Sequence, residues 1–380
     1  MKKTVFVFLC SVCLILGGCG GNDPEIVFPL EIAEDVTDLS GAVADIQLLA
    51  LEEIPESLLT YPTKMLILPD GSLIFKDSGG KIMKFGADGG YLGRIGARGR
   101  GPGEYNKVQD ICIEPGTENV CVLDLGCIMR YDSSDGHFID KIPVSRHNYD
   151  EFCPDGKGGF WLFAAAPDYD TYDFSDTFNT LSHFPAGATE PSESIISRKD
   201  YIMNTSLISQ TSDGAYWLRP LEGENVLYRI ASSVTPVARF DYGEKGVPLH
   251  YMINSGQPDF ARYMPSPYYK NTLYVHNTES NLFFTVIGPG ASSQHFLFDK
   301  SFKKGITWKD VRDSDTPSII MAADKKVFYV MVFAAQSLLN LNPEQLSPLN
   351  REILESVKEN DFQLNSNPLI AKVIITITDK

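Results

Sequence analysis

The sequence lacks the linear motifs of several common enzyme classes. It contains no G-x-S-x-G and no H-E-x-x-H, and beyond residue 20 it has no C-x-x-C pair. The sequence therefore carries no signature of a nucleophile elbow, a zinc-protease helix or a zinc ribbon. Basic residues are also scarce, since 33 Lys and Arg stand against 49 Asp and Glu, a formal net charge of −16. Such a chain repels phosphate backbones, so we expect no nucleic acid partner.

Long hydrophobic runs are absent except at the N-terminus. Lys2 and Lys3 precede an apolar run from Val5 to Leu16, which is too short to span a bilayer and is typical of a secretory signal. The residues Leu16-Gly17-Gly18-Cys19 resemble the lipobox of bacterial lipoproteins. The resemblance implies cleavage before Cys19 and acylation of its sulfur and amino group; an ordinary secreted signal is the alternative. We predict a signal peptide at 1–18, a lipidated flexible tether at 19–35 and one domain at 36–380.

Four cysteines remain after the signal and the lipidated position are set aside. Cys112 and Cys121 flank the turn PGTEN and can face each other on neighbouring strands. A disulfide is possible in an exported protein, but we favour four small buried apolar side chains, with Cys127 and Cys153 as the other two.

One hairpin pattern returns six times along the chain. A short apolar strand, a turn and an aromatic or β-branched strand recur at 65–77, 110–124, 151–163, 208–220, 266–277 and 319–332. Further strand pairs follow at 81–95, 127–142, 225–242 and 281–298. Four antiparallel strands in each of six units predict an all-β fold, a six-bladed β-propeller. A strand at 44–51 would close the ring beside 368–377, which removes exposed sheet edges.

One long helix is expected near the C-terminus. Asn342 can cap it and Pro343 suits its first position. Apolar residues then recur at helical spacing, namely Leu346, Leu349, Ile353, Leu354 and Val357.

The glycine-rich stretch GARGRGPGEY at 96–105 raises the question of a phosphate-binding loop. Gly96 and Gly101 have the P-loop spacing, but Pro102 follows where a backbone N–H is needed, and no Lys-Ser/Thr step comes after. We interpret the stretch as a turn between blades. Residues 99–105 resemble the GxGPGEY signature of six-bladed, NHL-like β-propeller lipoproteins of gut Gram-negative bacteria. The resemblance implies the fold and a location in the cell envelope, on the periplasmic face or outer surface of the outer membrane.

The candidate binding residues are arginines, tyrosines and one acid in predicted loops. Aromatic planes beside polar groups suit sugar rings and protein partners alike. The candidates are Arg98, Arg100, Glu104, Tyr105, Tyr169, Tyr172, Arg262, Tyr263, Tyr268 and Tyr269. The acids from Asp168 to Asp176 depart from an EF-hand loop because Tyr172 occupies its fifth position, so we expect neither a metal site nor a cofactor.

These features predict a membrane-anchored binding or scaffold protein. Its partner would be a glycan, a peptide or an envelope protein, and no catalytic residue is assigned. The alternative is a glycan-acting lyase or hydrolase with its site at the mouth of the propeller channel. No histidine spacing supports it, because the six histidines are scattered over different blades.

Overall fold

Six sheets of four or five strands, each built on four antiparallel strands, are arranged around one axis in the computed structural model of the chain. It describes residues 26–145, 149–166, 178–198, 207–221, 225–248, 253–254, 257–258, 262, 265–270, 272–300, 303–310, 318–333 and 335–377. Each sheet is one blade of a β-propeller, and the six-bladed fold predicted from the sequence is confirmed.

The first three blades have four strands each, in chain order from the axis outward. Blade 1 contains β4 (Pro62–Ile67), β5 (Leu73–Asp77), β6 (Ile82–Phe85) and β7 (Tyr91–Arg94). A two-stranded ladder, β8 (Ala97–Arg98) with β9 (Glu104–Tyr105), leads to blade 2. Blade 2 contains β10 (Asp110–Ile113), β11 (Val120–Asp124), β12 (Cys127–Tyr131) and β13 (Phe138–Pro143). Blade 3 contains β14 (Glu151–Pro154), β15 (Phe160–Phe163), β16 (Phe178–Phe184) and β17 (Glu193–Arg198).

The last three blades each include a strand from the N-terminal part of the chain, as a fifth strand in blades 4 and 5 and as the fourth strand in blade 6. Blade 4 contains β18 (Ile208–Gln210), β19 (Tyr216–Leu218), β20 (Val226–Ile230), β21 (Val234–Asp241) and β1 (Ile26–Pro29). After the short pair β22 (Ile253–Asn254) and β23 (Gln257–Pro258), blade 5 contains β24 (Thr272–Asn277), β25 (Asn281–Ile287), β26 (Ser293–Asp299), β27 (Gly305–Lys309) and β2 (Ala33–Asp35). Blade 6 contains β28 (Ser318–Asp324), β29 (Val327–Val332), β30 (Leu369–Ile375) and β3 (Val43–Ala50).

Strand β3 closes the ring, as the sequence predicts. It runs antiparallel to β30, with Leu48 opposite Ala371 and Ala50 opposite Leu369. A strand from the N-terminal part of the chain is therefore the outermost strand of the last blade, and the covered edge of β30 is not available for pairing with another chain.

The N-terminal strap, residues 26–50, covers more of the ring than the sequence predicts. The sequence predicts a flexible tether over 19–35, yet within this range β1 pairs in parallel with β21 and β2 in parallel with β27. Leu30 between them is buried against blades 4 and 5, beside Phe240 and Phe298. The strap therefore pairs with the outer strands of blades 4 and 5 before it reaches blade 6.

The fifth hairpin lies later in the chain than predicted. The sequence pattern placed it at 266–277, whereas the first two strands of blade 5 are β24 and β25. The segment before them is held as a loop because Tyr269 bridges to Gly246 and Lys270 donates to the Tyr268 carbonyl at 2.9 Å. The strand pair predicted at 281–298 is therefore the second and third strand of blade 5, β25 and β26. The sequence pattern missed the next strand, β27.

Tryptophan side chains join neighbouring blades. Trp161 and Trp217 occupy equivalent positions on the second strands of blades 3 and 4. The Trp161 indole donates to the Ala231 carbonyl of blade 4 at 2.9 Å, and the Trp217 indole donates to Asn277 Oδ1 of blade 5 at 2.8 Å. Each ring therefore packs as blade core while its N–H bonds the next blade.

The long helix begins five residues after the predicted start. Asn342 and Pro343 cap only a 3-10 turn at Pro343–Gln345, and helix α2 (Pro348–Glu359) has Ser347 as its N-cap; a short helix α1 (Ala335–Leu338) precedes them. The predicted apolar residues of α2 are buried against blades 5 and 6. Among the described residues, no helix is long and apolar enough to cross a membrane.

The four cysteines from 112 to 153 are free and buried. Cys112 and Cys121 are direct cross-strand partners on β10 and β11, as the turn between them suggested. Burial raises the pKa of the Cys112 and Cys153 thiols well above the ordinary value, so both behave as apolar side chains.

Candidate functional site in the central channel

The innermost strand of every blade is the first strand of its hairpin. Strands β4, β10, β14, β18, β24 and β28 contact one another in that order around the axis, and β28 contacts β4. Residues on these six strands that point inward therefore line a central channel.

A cavity of about 350 Å³ occupies this channel. Blades 1 and 6 supply an apolar wall, which consists of Met65, Ile67, Ile320, Met321 and Ala322. Blades 4 and 5 supply a polar wall, which consists of Ser209, Gln210, Thr211, Tyr274 and His276. A concave site with an apolar side and a few convergent polar groups is the usual form of a small-ligand site.

His276 is the buried titratable group of the polar wall. Its side chain is 5% exposed, and its Nδ1 has no hydrogen-bond partner among the described residues. Burial lowers the pKa of His276 to about 4, although a hydrogen bond to the Ile320 backbone opposes the shift. The ring is therefore neutral at pH 7 and contributes no charge to the channel.

His276 makes the stability of the protein depend on pH. The unfolded imidazole binds a proton near pH 6.5 and the folded one only near pH 4, so folding is disfavoured as the pH falls through this window. We expect wild type to lose about 3 kcal/mol more than His276→Gln between pH 6.5 and pH 4. Urea unfolding of both proteins across this range measures the difference. If the free energies of unfolding of the two proteins changed in parallel with pH, the pKa of His276 would not be lowered by folding.

Charged residues cluster where the inner strands begin. Lys64 on β4 contacts both carboxylate oxygens of Asp110 on β10, at 2.7 and 2.8 Å. Burial acts to lower the pKa of Lys64, but the charges of Asp110 and Glu151 outweigh it and raise the pKa overall. Lys64 is thus a charged, paired lysine at one end of the channel.

The two carboxylates of this cluster are also bonded to the backbone. Asp110 accepts from the Phe152 N–H at 3.2 Å, which joins blade 2 to blade 3. Glu151 accepts from the N–H groups of Leu207 and Ile208 at 2.7 and 2.8 Å, which joins blade 3 to blade 4. Their hydrogen-bonding capacity is used to hold inner strands together. Neither carboxylate is placed as a free general acid or base.

The glycine-rich stretch lies on the outer rim between blades 1 and 2. The Gly96 N–H donates to the Gly136 carbonyl, and the Tyr131 hydroxyl donates to the Gly103 carbonyl at 3.0 Å. Gly136 and Tyr131 belong to blade 2, so these bonds hold the stretch against that blade. Arg98, Arg100 and Glu104 are exposed there. They are not among the residues that line the channel cavity.

Glu104 and Tyr105 shape this rim loop. The Glu104 carboxylate accepts from the Gly101 N–H at 2.7 Å. Tyr105 is 2% exposed and packs edge-on against Tyr131, and burial raises its pKa to about 12. The stretch is therefore built as a turn, in line with the missing P-loop features.

The remaining predicted site residues are scattered or lie outside the described residues. Arg262 is exposed. Tyr268 and Tyr269 are half-buried, and the Tyr269 hydroxyl donates to Gln294 Oε1 at 2.8 Å within blade 5. Tyr269 also stacks on Tyr242. Cys19, Tyr169, Tyr172 and Tyr263 lie outside the described residues, as do the acids from Asp168 to Asp176.

Sequence reasoning missed the channel residues, although a signal for them was present. The first strand of each hairpin was predicted for five blades, and in a propeller these strands face the axis. Polar residues inside them, such as Ser209 and Gln210 of β18, break an apolar strand and could have been assigned to the channel wall. His276 could not, because its strand β24 was predicted as the second strand of the misplaced fifth hairpin. The predictions followed loop residues instead, because loops usually carry propeller sites.

One group of possible metal ligands lies away from the channel. Asp132, Asp135 and His137 have ligand atoms within 4.8 Å of one another on the turn after β12. Asp132 also accepts from the Ser134 N–H at 2.7 Å, and Asp135 from the His137 N–H at 3.0 Å, so both acids already shape this turn.

The fold and site together define a six-bladed β-propeller whose central channel has one polar and one apolar wall. By sequence the chain belongs to the family described as a domain of unknown function, DUF4934, whose model matches residues 25–373. No curated protein matches the sequence.

Solved structures are similar to the chain at low identity. A protein of Bacteroides fragilis NCTC 9343, named "Putative exported protein", is 14% identical with a TM-score of 0.72, over 93% of this chain and 99% of that one. Hydrazine synthase of Kuenenia stuttgartiensis is 13% identical with a TM-score of 0.38, over 83% and 87%. The WD40 repeats of RRP9 are 10% identical with a TM-score of 0.44, over 88% and 99%. The first of these likenesses supports the propeller fold.

Proposed function

We propose that this protein is a lipid-anchored, non-catalytic binding module of the cell envelope. Its ligand is an uncharged, hydroxyl-rich molecule, the end of a glycan chain, held in the central channel. The lipobox-like residues before Cys19 support the anchor, and the name of the Bacteroides fragilis protein agrees with export.

The observation that carries the proposal is the contrast between the two channel walls. Sugar rings have an apolar C–H face and a polar rim, which suit the aliphatic wall of blades 1 and 6 and the hydroxyl, amide and imidazole groups of blades 4 and 5. The middle of the channel carries no charge among its described lining residues, because Lys64 lies at one end and Asp324 and Lys325 at the other. An uncharged ligand fits this distribution.

The glycan-acting enzyme is the weaker alternative. An acid–base pair needs two carboxyl groups free to exchange protons with a substrate. Asp110 is instead bonded to Lys64 and to the Phe152 N–H. Glu151 accepts from the N–H groups of Leu207 and Ile208. We therefore expect glycans to be bound and recovered unchanged.

A glycan array probed with residues 26–380 tests the proposal. We expect binding to neutral glycans, and we expect Ala322→Trp, which fills the channel, to reduce it by tenfold or more. Ala97→Trp makes the same change on the rim loop and serves as the matched control, since Ala97 is exposed there. Loss of binding in Ala97→Trp with retention in Ala322→Trp would contradict the proposal, and so would a glycan product released by the wild type.

A further inference from the structure

A second cavity, of about 200 Å³, lies between blades 5 and 6 beneath the start of helix α2. We call it the interblade pocket. Tyr274 and Ile320 form part of its wall and also part of the channel wall, so the two cavities are neighbours. The remaining lining comes from one face of blade 5, from the start of β28 and from Ser347 and Leu349 of the helix start.

The blade 5 face of the pocket is a row of side chains across four strands. Tyr274 is opposite Thr285, Thr285 is opposite His295, and His295 is opposite Trp308. Because cross-strand partners point to the same side of a sheet, these four side chains share one face. The row gives the pocket two aromatic rings at its ends and a polar centre.

A chain of hydrogen bonds runs through this polar centre to Asp310. Thr285 Oγ1 lies 2.9 Å from His295 Nδ1, and His295 Nε2 lies 2.9 Å from Asp310 Oδ1. Thr285 is 3% exposed, whereas the side chains of His295 and Asp310 are 13% and 41% exposed. The solvent-accessible end of this series of hydrogen bonds is thus the Asp310 carboxylate, and its contact with His295 fixes its orientation.

This order is the reverse of a nucleophilic triad. In a triad the hydroxyl faces the substrate and the carboxylate is buried behind the histidine. Here the hydroxyl is buried and the carboxylate is accessible, so the arrangement presents a hydrogen-bond acceptor rather than a nucleophile.

We propose that the interblade pocket binds one uncharged sugar ring. Hydroxyl groups of the ring donate to Asp310 and bond the hydroxyls of Ser293 and Ser318, while its C–H face lies against Tyr274. The cavity is smaller than the 300–1,000 Å³ usual for drug-sized ligands, which limits the occupant to about one ring. Asp310 is the one carboxylate among the described lining residues, and the His295 ring holds it in place at 2.9 Å, so the pocket offers a fixed acceptor for hydroxyl groups and disfavours an anionic ligand.

This inference deepens the proposed function by adding a monosaccharide site next to the channel, and a panel of monosaccharides tests it. Glucose, galactose, mannose, xylose and N-acetylglucosamine are each added to residues 26–380 at millimolar concentration, with saturation-transfer difference NMR as the readout. We expect at least one sugar to bind, and we expect Asp310→Asn to weaken it tenfold or more, since a hydrogen bond to a charged group is lost. Ser293→Trp, which fills the pocket, should abolish the signal.

Two controls separate this site from the channel. Asp299→Asn makes the same change at the end of β26, where the carboxylate bonds the backbone of Lys303 outside both cavities, and it should leave binding unchanged. Ala322→Trp fills the channel and should leave monosaccharide binding intact. Absence of any signal from the wild type, or a signal that survives both Asp310→Asn and Ser293→Trp, overturns the inference. Loss of the signal in Ala322→Trp alone places the sugar in the channel and also overturns it, while the proposed function remains in force.

Discussion

Replacing Gly89 with alanine should destabilise the protein by about 3 kcal/mol or more. Gly89 has a φ of +90°, which L-residues adopt at a cost of roughly 1–2 kcal/mol, and an added Cβ would lie 2.1 Å from the Ala50 carbonyl oxygen. Ala50 ends β3, and the Glu52 N–H donates to the Gly89 carbonyl at 2.9 Å. The substitution therefore forces apart the closing strand of blade 6 and the neighbouring turn of blade 1.

Gly80 offers a matched control for this prediction. Its φ is +77°, yet a Cβ there would meet nothing within 4 Å. Gly80→Ala should cost about 1 kcal/mol, from the backbone conformation alone. Urea unfolding of the two variants measures the difference. Equal losses would mean that the contact between Gly89 and the closing strand is absent in solution.

Removal of the Asp110 side chain should cost about 3–5 kcal/mol, which is typical when one partner of a buried ion pair is deleted. The side chains of Lys64 and Asp110 are only 18% and 4% exposed, so Asp110→Ala leaves an ammonium group without its counter-charge. It also removes the acceptor of the Phe152 N–H. Thermal and urea unfolding should both report the loss.

A double-mutant cycle and a surface pair complete this test. Asp110→Ala combined with Lys64→Met should lose less than the sum of the single changes, because the unpaired charge is gone. Arg229 and Asp213 form a similar pair at 2.9 Å, but their side chains are 38% and 61% exposed. Asp213→Ala should therefore cost no more than about 1 kcal/mol. Additive effects at Lys64 and Asp110 would argue against a buried pair in the channel.

Much of the fold was predictable because propeller blades repeat a local pattern. Asp-Gly and Pro-Gly turns between short apolar strands depend on neighbouring residues only, so five of the six hairpins are found where the sequence predicts them. Ring closure was predictable as well, since an unpaired strand at one end of the chain complements an unpaired strand at the other. The start of helix α2 was misplaced because Asn342-Pro343 and Ser347-Pro348 are equally good capping pairs, and only tertiary packing selects the second.

The strap and the site could not be found in this way, because they depend on which residues meet across distant parts of the chain. The parallel pairing of β1 with β21 joins residues more than 200 positions apart, and nothing in IVFP specifies that partner. The cavity wall likewise combines Ser209, Tyr274 and Ile320 from three blades. Arg98 and Arg100, by contrast, were conspicuous in the sequence but lie on the rim.

Hydrogen exchange with and without bound glycan tests the channel assignment most directly, with the strongest hit of the array as ligand. We expect the ligand to slow exchange in the inner strands of blades 4, 5 and 6, at 208–214, 272–277 and 318–325, and to leave the rim loop at 96–105 unchanged. Protection confined to the rim loop, with the inner strands unaffected, would contradict a ligand site in the central channel.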